Sequence, residues 1–219
     1  MMKFEFSGKH ERPLKILCIG AHSDDIEIGC GGTVLRLLSE YQNVEVHWLV
    51  LGSSGQRDGE ALCGANKFLA GTRSNEIIIK NFRDGFFPYI GAEIKEFFED
   101  LKKIVSPDII FTHHRNDLHQ DHRLVCELTW NTFRDHLILE YEVMKYDGDI
   151  GNPNFFVHLD ENTSRIKVKW ILETFKSQAH HQWFSGDSFL ALLRLRGIES
   201  CAPGNYAEGF YCRKVVMGF

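Results

Sequence analysis

Between residue 15 and about residue 136, short apolar runs alternate with segments of helical period, and few folds can accommodate that alternation. Lys15-Ile16-Leu17-Cys18-Ile19-Gly20 stops at a glycine and reads as a buried strand. Gly29, Gly31 and Gly32 lead into a helix over Thr33–Leu38. Val44–Leu51, Glu76–Ile79 and Asp108–Thr112 read as further strands. Helices are expected over Gln56–Leu69, Ile90–Ile104 and His119–His136, the second ended by Pro107. Strand followed by helix, repeated, implies βαβ units, so the expected fold is α/β: a Rossmann-like, mainly parallel sheet flanked by helices.

The chain of 219 residues fits one domain, 1–219, with a βαβ core over 15–136 completed by 137–219. The later part is less regular. Leu139–Met144 and Phe155–Leu159 alternate like strands, Asn162–Ser177 and Asp187–Arg196 are helix-like, and Tyr206–Val216 is expected to form a terminal strand pair. At 43% hydrophobic residues the chain can bury a core, which argues against disorder. A net charge of -5 argues against a general nucleic-acid binder. No CxxC pair occurs among the cysteines, which read as buried, reduced thiols. The stretch from Met1 to Pro13 is polar, no window approaches a membrane span, and a soluble cytoplasmic protein is the expectation, with a homo-oligomer left open.

Two polar clusters punctuate the alternation. Ala21-His22-Ser23-Asp24-Asp25 follows the first strand, and His113–His122 follows the fourth. In an open parallel sheet, ligands bind outside the carboxyl ends of the strands, so both clusters are expected at one rim. Alone, a His-x-x-His on a helix is often a solvated face, and an Asp-Asp after a strand is usually a turn or helix cap. Together they offer imidazoles and carboxylates of the kind zinc takes. His22, Asp25, His119 and His122 compete for about three ligand positions, with Asp24 and Asp121 beside them. The groups left over supply a general base and a general acid, which makes a hydrolytic metalloenzyme the expectation.

Ala21-His22-Ser23-Asp24-Asp25, followed by Gly29-Cys30-Gly31-Gly32, resembles the A-H-P-D-D and G-x-G-G signature of the PIG-L/LmbE-like deacetylases. Asp117-Leu118-His119-Gln120-Asp121-His122 resembles that family's second signature, D-x-H-x-D-H. Weaker likenesses are Arg57-x-x-Glu60-Ala61, Phe82-Arg83-Asp84-Gly85, Ser177-Gln178 and Tyr206–Phe210. The resemblance implies a Rossmann-like, zinc-dependent enzyme that removes the acetyl group from N-acetylglucosamine units, with Fe2+ and other divalent metals accepting the same donors. It implies His22, Asp25 and His122 as metal ligands and Asp24 as the base on the attacking water. It implies His119 as the acid, Asp121 as the group that orients His119, and Arg57 and Asp84 as contacts to the amino-sugar substrate. Ser23 replaces the usual proline, which removes a fixed φ but no ligand.

Three rival readings remain. A dinucleotide-binding domain needs G-x-G-x-x-G and an acid after the second strand, and neither is present. A non-catalytic metal- or sugar-binding relative would not need both a base and an acid. Hydrolysis of another amide or ester would use the same residues. Specificity is expected in loops 52–64, 82–90 and 148–154. Phe86, Phe87, Tyr89 and Trp183 are candidates to stack on a sugar, with core packing the alternative for each.

Overall fold

The computed structural model describes residue 3 and residues 12–216. Most of the polar stretch from Met1 to Pro13 lies outside the described residues. The described residues form a single seven-stranded sheet flanked by six helices. In chain order the elements are β1 (Leu14–His22), α1 (Asp25–Glu40), β2 (Val44–Gly52), α2 (Gln56–Phe68) and β3 (Ser74–Ile79). They continue with α3 (Gly91–Ile104), β4 (Ile109–His113), α4 (Gln120–Thr132), β5 (Leu137–Tyr141) and β6 (Phe155–Leu159). The chain closes with α5 (Glu161–Thr174), α6 (Gly186–Glu199) and β7 (Tyr206–Cys212).

The strand order is β3-β2-β1-β4-β5-β7-β6. The first five strands are mutually parallel, and β7 runs antiparallel to both β5 and β6. The central strands are apolar almost throughout because both sheet faces are covered. Ile16, Cys18, Trp48, Val50 and Phe111 pack on one side with residues of α1, α2, α5 and α6. The alternate residues Leu17, Ile19, Leu49, Leu51 and Ile110 pack on the other side with α3 and α4. Successive side chains of a strand point to opposite faces, so one short run serves two cores.

Sheet growth reverses direction between β1 and β4. The chain builds outward from β1 through β2 to β3, then returns to place β4 on the other side of β1. That topological switch point leaves a crevice at the carboxyl ends of β1 and β4.

Two expectations are corrected. The glycines at 29, 31 and 32 do not precede a helix beginning at Thr33; they lie inside α1, which starts at Asp25. They are glycines because neighbours crowd the helix. A Cβ on Gly29 would lie 2.1 Å from Tyr141 Cδ2, and one on Gly31 would lie 2.5 Å from Phe68 Cε1. The segment Tyr206–Val216 is a single strand ending at Cys212, not a strand pair; its partners are β5 and β6. The cysteines are free, as expected, but Cys63 and Cys201 are exposed while Cys18, Cys30 and Cys126 are buried.

Candidate active site

The site begins where β1 runs directly into α1. Asp24 is the N-cap residue of α1, yet its side chain makes no capping hydrogen bond. The ordinary role of an aspartate at this position is therefore unfilled. The Asp24 carboxylate is buried and accepts a long hydrogen bond, 3.4 Å, from Arg57 Nη2. Burial, together with the charge of Asp25, raises its pKa to about 6 despite Arg57 and His22. Next to it, the Asp25 carboxylate accepts the His22 backbone N–H at 2.6 Å. Burial opposes ionisation of Asp25, but the imidazoles of His122, His113 and His22 outweigh it and hold the carboxyl well below its ordinary range.

The second strand–helix junction faces the first. His119 is the N-cap of α4, and its Nδ1 accepts the Asp121 backbone N–H at 3.3 Å. A ring that accepts at Nδ1 carries its neutral-form proton on Nε2. Burial and the neighbouring His22 push the His119 imidazolium down, so the neutral form is favoured. One turn further on, His122 Nδ1 lies 2.9 Å from Asp117 Oδ2, while its Nε2 lies 3.2 Å from His22 Nδ1 and 3.5 Å from Asp25 Oδ1. His22 Nδ1 is 3.5 Å from Asp25 Oδ2. The expected ligands His22, Asp25 and His122 thus converge, all buried.

The outer nitrogens of both histidines meet carboxylates. His22 Nε2 lies 3.2 Å from Asp121 Oδ2 and 3.0 Å from Asp84 Oδ1, as His122 Nδ1 lies on Asp117. Carboxylate partners of this kind turn the free lone pair of each ring toward a metal. This arrangement fits a cation. The carboxylates of Asp24, Asp25, Asp84, Asp117 and Asp121 also outnumber the cations that face them, Arg57 and Lys145. Burial disfavours a charged His22, but hydrogen bonds to Asp121, Asp25 and Asp84 raise its pKa well above the ordinary value. A proton there occupies a place that a metal ion would take. Burial and His113 lower the His122 pKa to about 3, so its Nε2 lone pair is free.

Among the described residues, three groups of side chains bring ligand atoms within 4.8 Å of one another: His22 with His119 and His122; His22 with Asp84, His119 and Asp121; Asp25 with His113 and His122. The expected shell straddles the first and third. His113 was not expected in the site. It is buried, stacks on His122 at 3.9 Å, and its Nε2 accepts the Ala21 N–H at 2.9 Å and lies 3.2 Å from Asp25 Oδ2. Asp117 and Lys145 were also missed. Lys145 Nζ lies 3.0 Å from Asp117 Oδ2. The sequence signal for Asp117 was its place in the second cluster; for Lys145, beyond β5, there was none.

Asp121 meets the His119 ring through its backbone N–H. Its carboxylate accepts the N–H groups of Gly85 at 2.6 Å and Phe87 at 3.1 Å and faces His22. Gly85 adopts φ +77°, a backbone conformation that side chains rarely take. Asp84, half exposed at the mouth of the crevice, accepts from Arg57 Nη1 at 3.1 Å, so Arg57 spans Asp24 and Asp84. Among the aromatic candidates, Phe87 is buried beneath His22, whereas Phe86 and Tyr89 are exposed and Trp183 is half-buried.

Residues 17–133 match the family described as PIG-L: GlcNAc-PI de-N-acetylase. A relative named uncharacterized deacetylase YaiS, from Escherichia coli (strain K12), is 33% identical over 122 residues, 51% of this chain. That match spans 64% of the relative's length. The fold resembles the conserved protein TT1542 from Thermus thermophilus, with a TM-score of 0.74 and 20% identity over 94% of this chain and 97% of that one. It also resembles N,N'-diacetylchitobiose deacetylase from Pyrococcus horikoshii, with a TM-score of 0.67 and 20% identity over 95% of this chain and 87% of that one.

Proposed function

The chain belongs to the PIG-L family, and from that premise we propose that it is a metal-dependent hydrolase that removes the N-acetyl group from N-acetylglucosamine or a conjugate of it, releasing acetate. The observation that carries this reading is Asp24: a buried carboxylate with no capping bond and a pKa raised to about 6, beside a cluster of metal-ligand type. Such a group is ionised at neutral pH yet basic enough to accept a proton, as a general base must be.

His22, Asp25 and His122 would hold the ion. Zn2+ suits two imidazoles and a carboxylate, and Fe2+ accepts the same set. When bound, the metal supplies Lewis acidity to the acetyl carbonyl and lowers the pKa of water. The chain's own groups supply the rest. Asp24 takes the proton of the attacking water. His119 Nε2–H, set by the bond at Nδ1, donates a hydrogen bond to the developing oxyanion, and Asp24 passes the proton it took from water to the departing amine. The amine needs that proton because an amide anion is a very poor leaving group. Asp121 and Asp117 fix the rings of His22 and His122. Arg57 and the half-exposed Asp84 offer a donor and an acceptor to sugar hydroxyls at the mouth.

His22, His119 and His122 also converge, which would make His119 a ligand. The proton on its Nε2 leaves that ring no free lone pair for a metal and favours the hydrogen-bond donor role instead. Replacing Asp24 tests the assignment. Asp24→Asn is expected to retain the metal at wild-type stoichiometry and to lose at least about a hundredfold in kcat for acetate release. Near wild-type turnover would remove Asp24 as the base.

A further inference from the structure

Beyond the acetamide site, two loops carry a run of aromatic rings with no part in the chemistry above. Tyr146 is 65% exposed in the loop after β5. Its hydroxyl accepts the backbone N–H of Gln182 at 3.0 Å, and its ring meets that of His181 edge-on at 6.2 Å. His181 lies parallel to Trp183 at 5.8 Å, and Trp183 rests on Phe184 and Phe189. Tyr146 is exposed, while His181 and Trp183 are half-buried and Trp183 also packs against the core, so the run rests on the fold on one side and leaves part of its face to solvent on the other.

Both loops are fastened to the catalytic elements. Next to Tyr146, Lys145 holds Asp117, the partner of His122, and Asp149 of the same loop accepts the Leu118 N–H at 2.7 Å. On the other side, Ser177 donates its backbone N–H at 2.9 Å and its hydroxyl at 2.5 Å to Glu60, one turn after Arg57 on α2. The ring run therefore joins the wall that carries His119 to the wall that carries Arg57. Slight burial, then His180 and Arg57, push the His181 imidazolium down, consistent with His181 facing that same wall.

We propose that Tyr146, His181 and Trp183 form an outer subsite that takes the uncharged face of a second ring attached to the N-acetylated sugar. The proposal deepens the deacetylase reading and rests on it. The C–H face of a pyranose and the face of an aryl group share this chemistry, since both stack on aromatic rings. A charged attachment such as a phosphate finds no free partner in Lys145 or Arg57, which are already engaged. Lys145 is held by Asp117 and Asp149, and Arg57 by Asp24 and Asp84.

The test compares N-acetylglucosamine, N,N'-diacetylchitobiose and an aryl N-acetyl-β-glucosaminide on the metal-loaded protein, by acetate release and by calorimetric binding of the corresponding free-amine products. The wild type is expected to favour the two-ring compounds over the single sugar by about tenfold in kcat/KM, through KM, and by a similar factor in product binding. Tyr146→Ala is expected to remove most of that preference while leaving kcat on the single sugar unchanged, and Tyr146→Phe to keep it. If only the disaccharide shows the preference the ring is a sugar, and if both do, any flat ring serves. Equal kcat/KM for one-ring and two-ring substrates overturns the proposal, as does a Tyr146→Ala loss shared equally by all substrates. Acetate release from none of them, with ring-dependent binding intact, overturns the deacetylase reading and leaves the subsite standing. Neither release nor binding overturns both.

Discussion

Asp24 and Asp25 are adjacent and chemically identical, yet the structure gives them opposite characters. Asp25 sits among three imidazoles and stays ionised, whereas Asp24 faces one long contact to Arg57 and is pushed up to about 6. As the proposed base, Asp24 must lose its proton to act, and a cation bound at the neighbouring site would lower its pKa further. The acid limb of kcat/KM is therefore expected at or below about pH 6. A limb above pH 7 in a pH–rate profile would assign the proton to another group. Asp121 and Asp117 act through His22 and His122, so Asp121→Asn and Asp117→Asn are each expected to weaken metal binding by about 10- to 100-fold. Competition with a chromogenic chelator measures it, and unchanged affinity would disprove the role. Every ligand type was legible in the two clusters. The partner of Asp121 was not, because it is set by two backbone N–H groups of residues 85 and 87, which no side-chain pattern reveals.

At the scale of elements, α1 is the piece on which the site depends. It delivers Asp24 and Asp25 from its first turn, and its position against the sheet is set by close contact. Sequence reasoning places glycines 29, 31 and 32 ahead of the helix, since glycine is a poor helix former. Tertiary contact reverses that preference: the rings of Tyr141 and Phe68 occupy the places of the missing Cβ atoms. Gly29→Ala is expected to cost about 1–3 kcal/mol or more through overpacking, read as a lower urea midpoint. A midpoint equal to wild type would show that Tyr141 yields freely. A buried ion pair also reaches into this helix. Lys167 Nζ donates to Ile28 O at 2.7 Å and pairs with Glu208, which accepts the N–H groups of Gly32 and Thr33 at 2.8 and 2.6 Å. Glu208→Ala would leave Lys167 buried and uncompensated, at an expected cost of about 3–5 kcal/mol. A loss below about 1 kcal/mol in the same titration would show the pair to be dispensable. Nothing local announces this pair, because Glu208 lies 176 residues from Gly32.

At the scale of the whole molecule, the alternation of apolar runs and helices was enough to read the parallel half of the sheet and to put both clusters at one rim. The switch between β1 and β4 then explains why that rim is a crevice. The closing half was less legible. β7 has to pair on both sides at once, with β5 and β6, and its antiparallel direction depends on long-range contacts. No helix among the described residues is long and apolar enough to cross a membrane. The proposed metal would join residues from both halves of the parallel core, so its removal is expected to be felt globally. At a free-metal concentration a hundred times the dissociation constant, binding contributes about 2.7 kcal/mol, or roughly 5–10 °C in Tm for a chain of this size. The most direct test of the account is acetate release from N-acetylated amino sugars by the purified protein as isolated, after chelation, and after restoration with Zn2+ or Fe2+. The account predicts release that chelation abolishes and metal restores. Release that survives complete metal removal, or no release from any amino sugar by the metal-loaded protein, would contradict it.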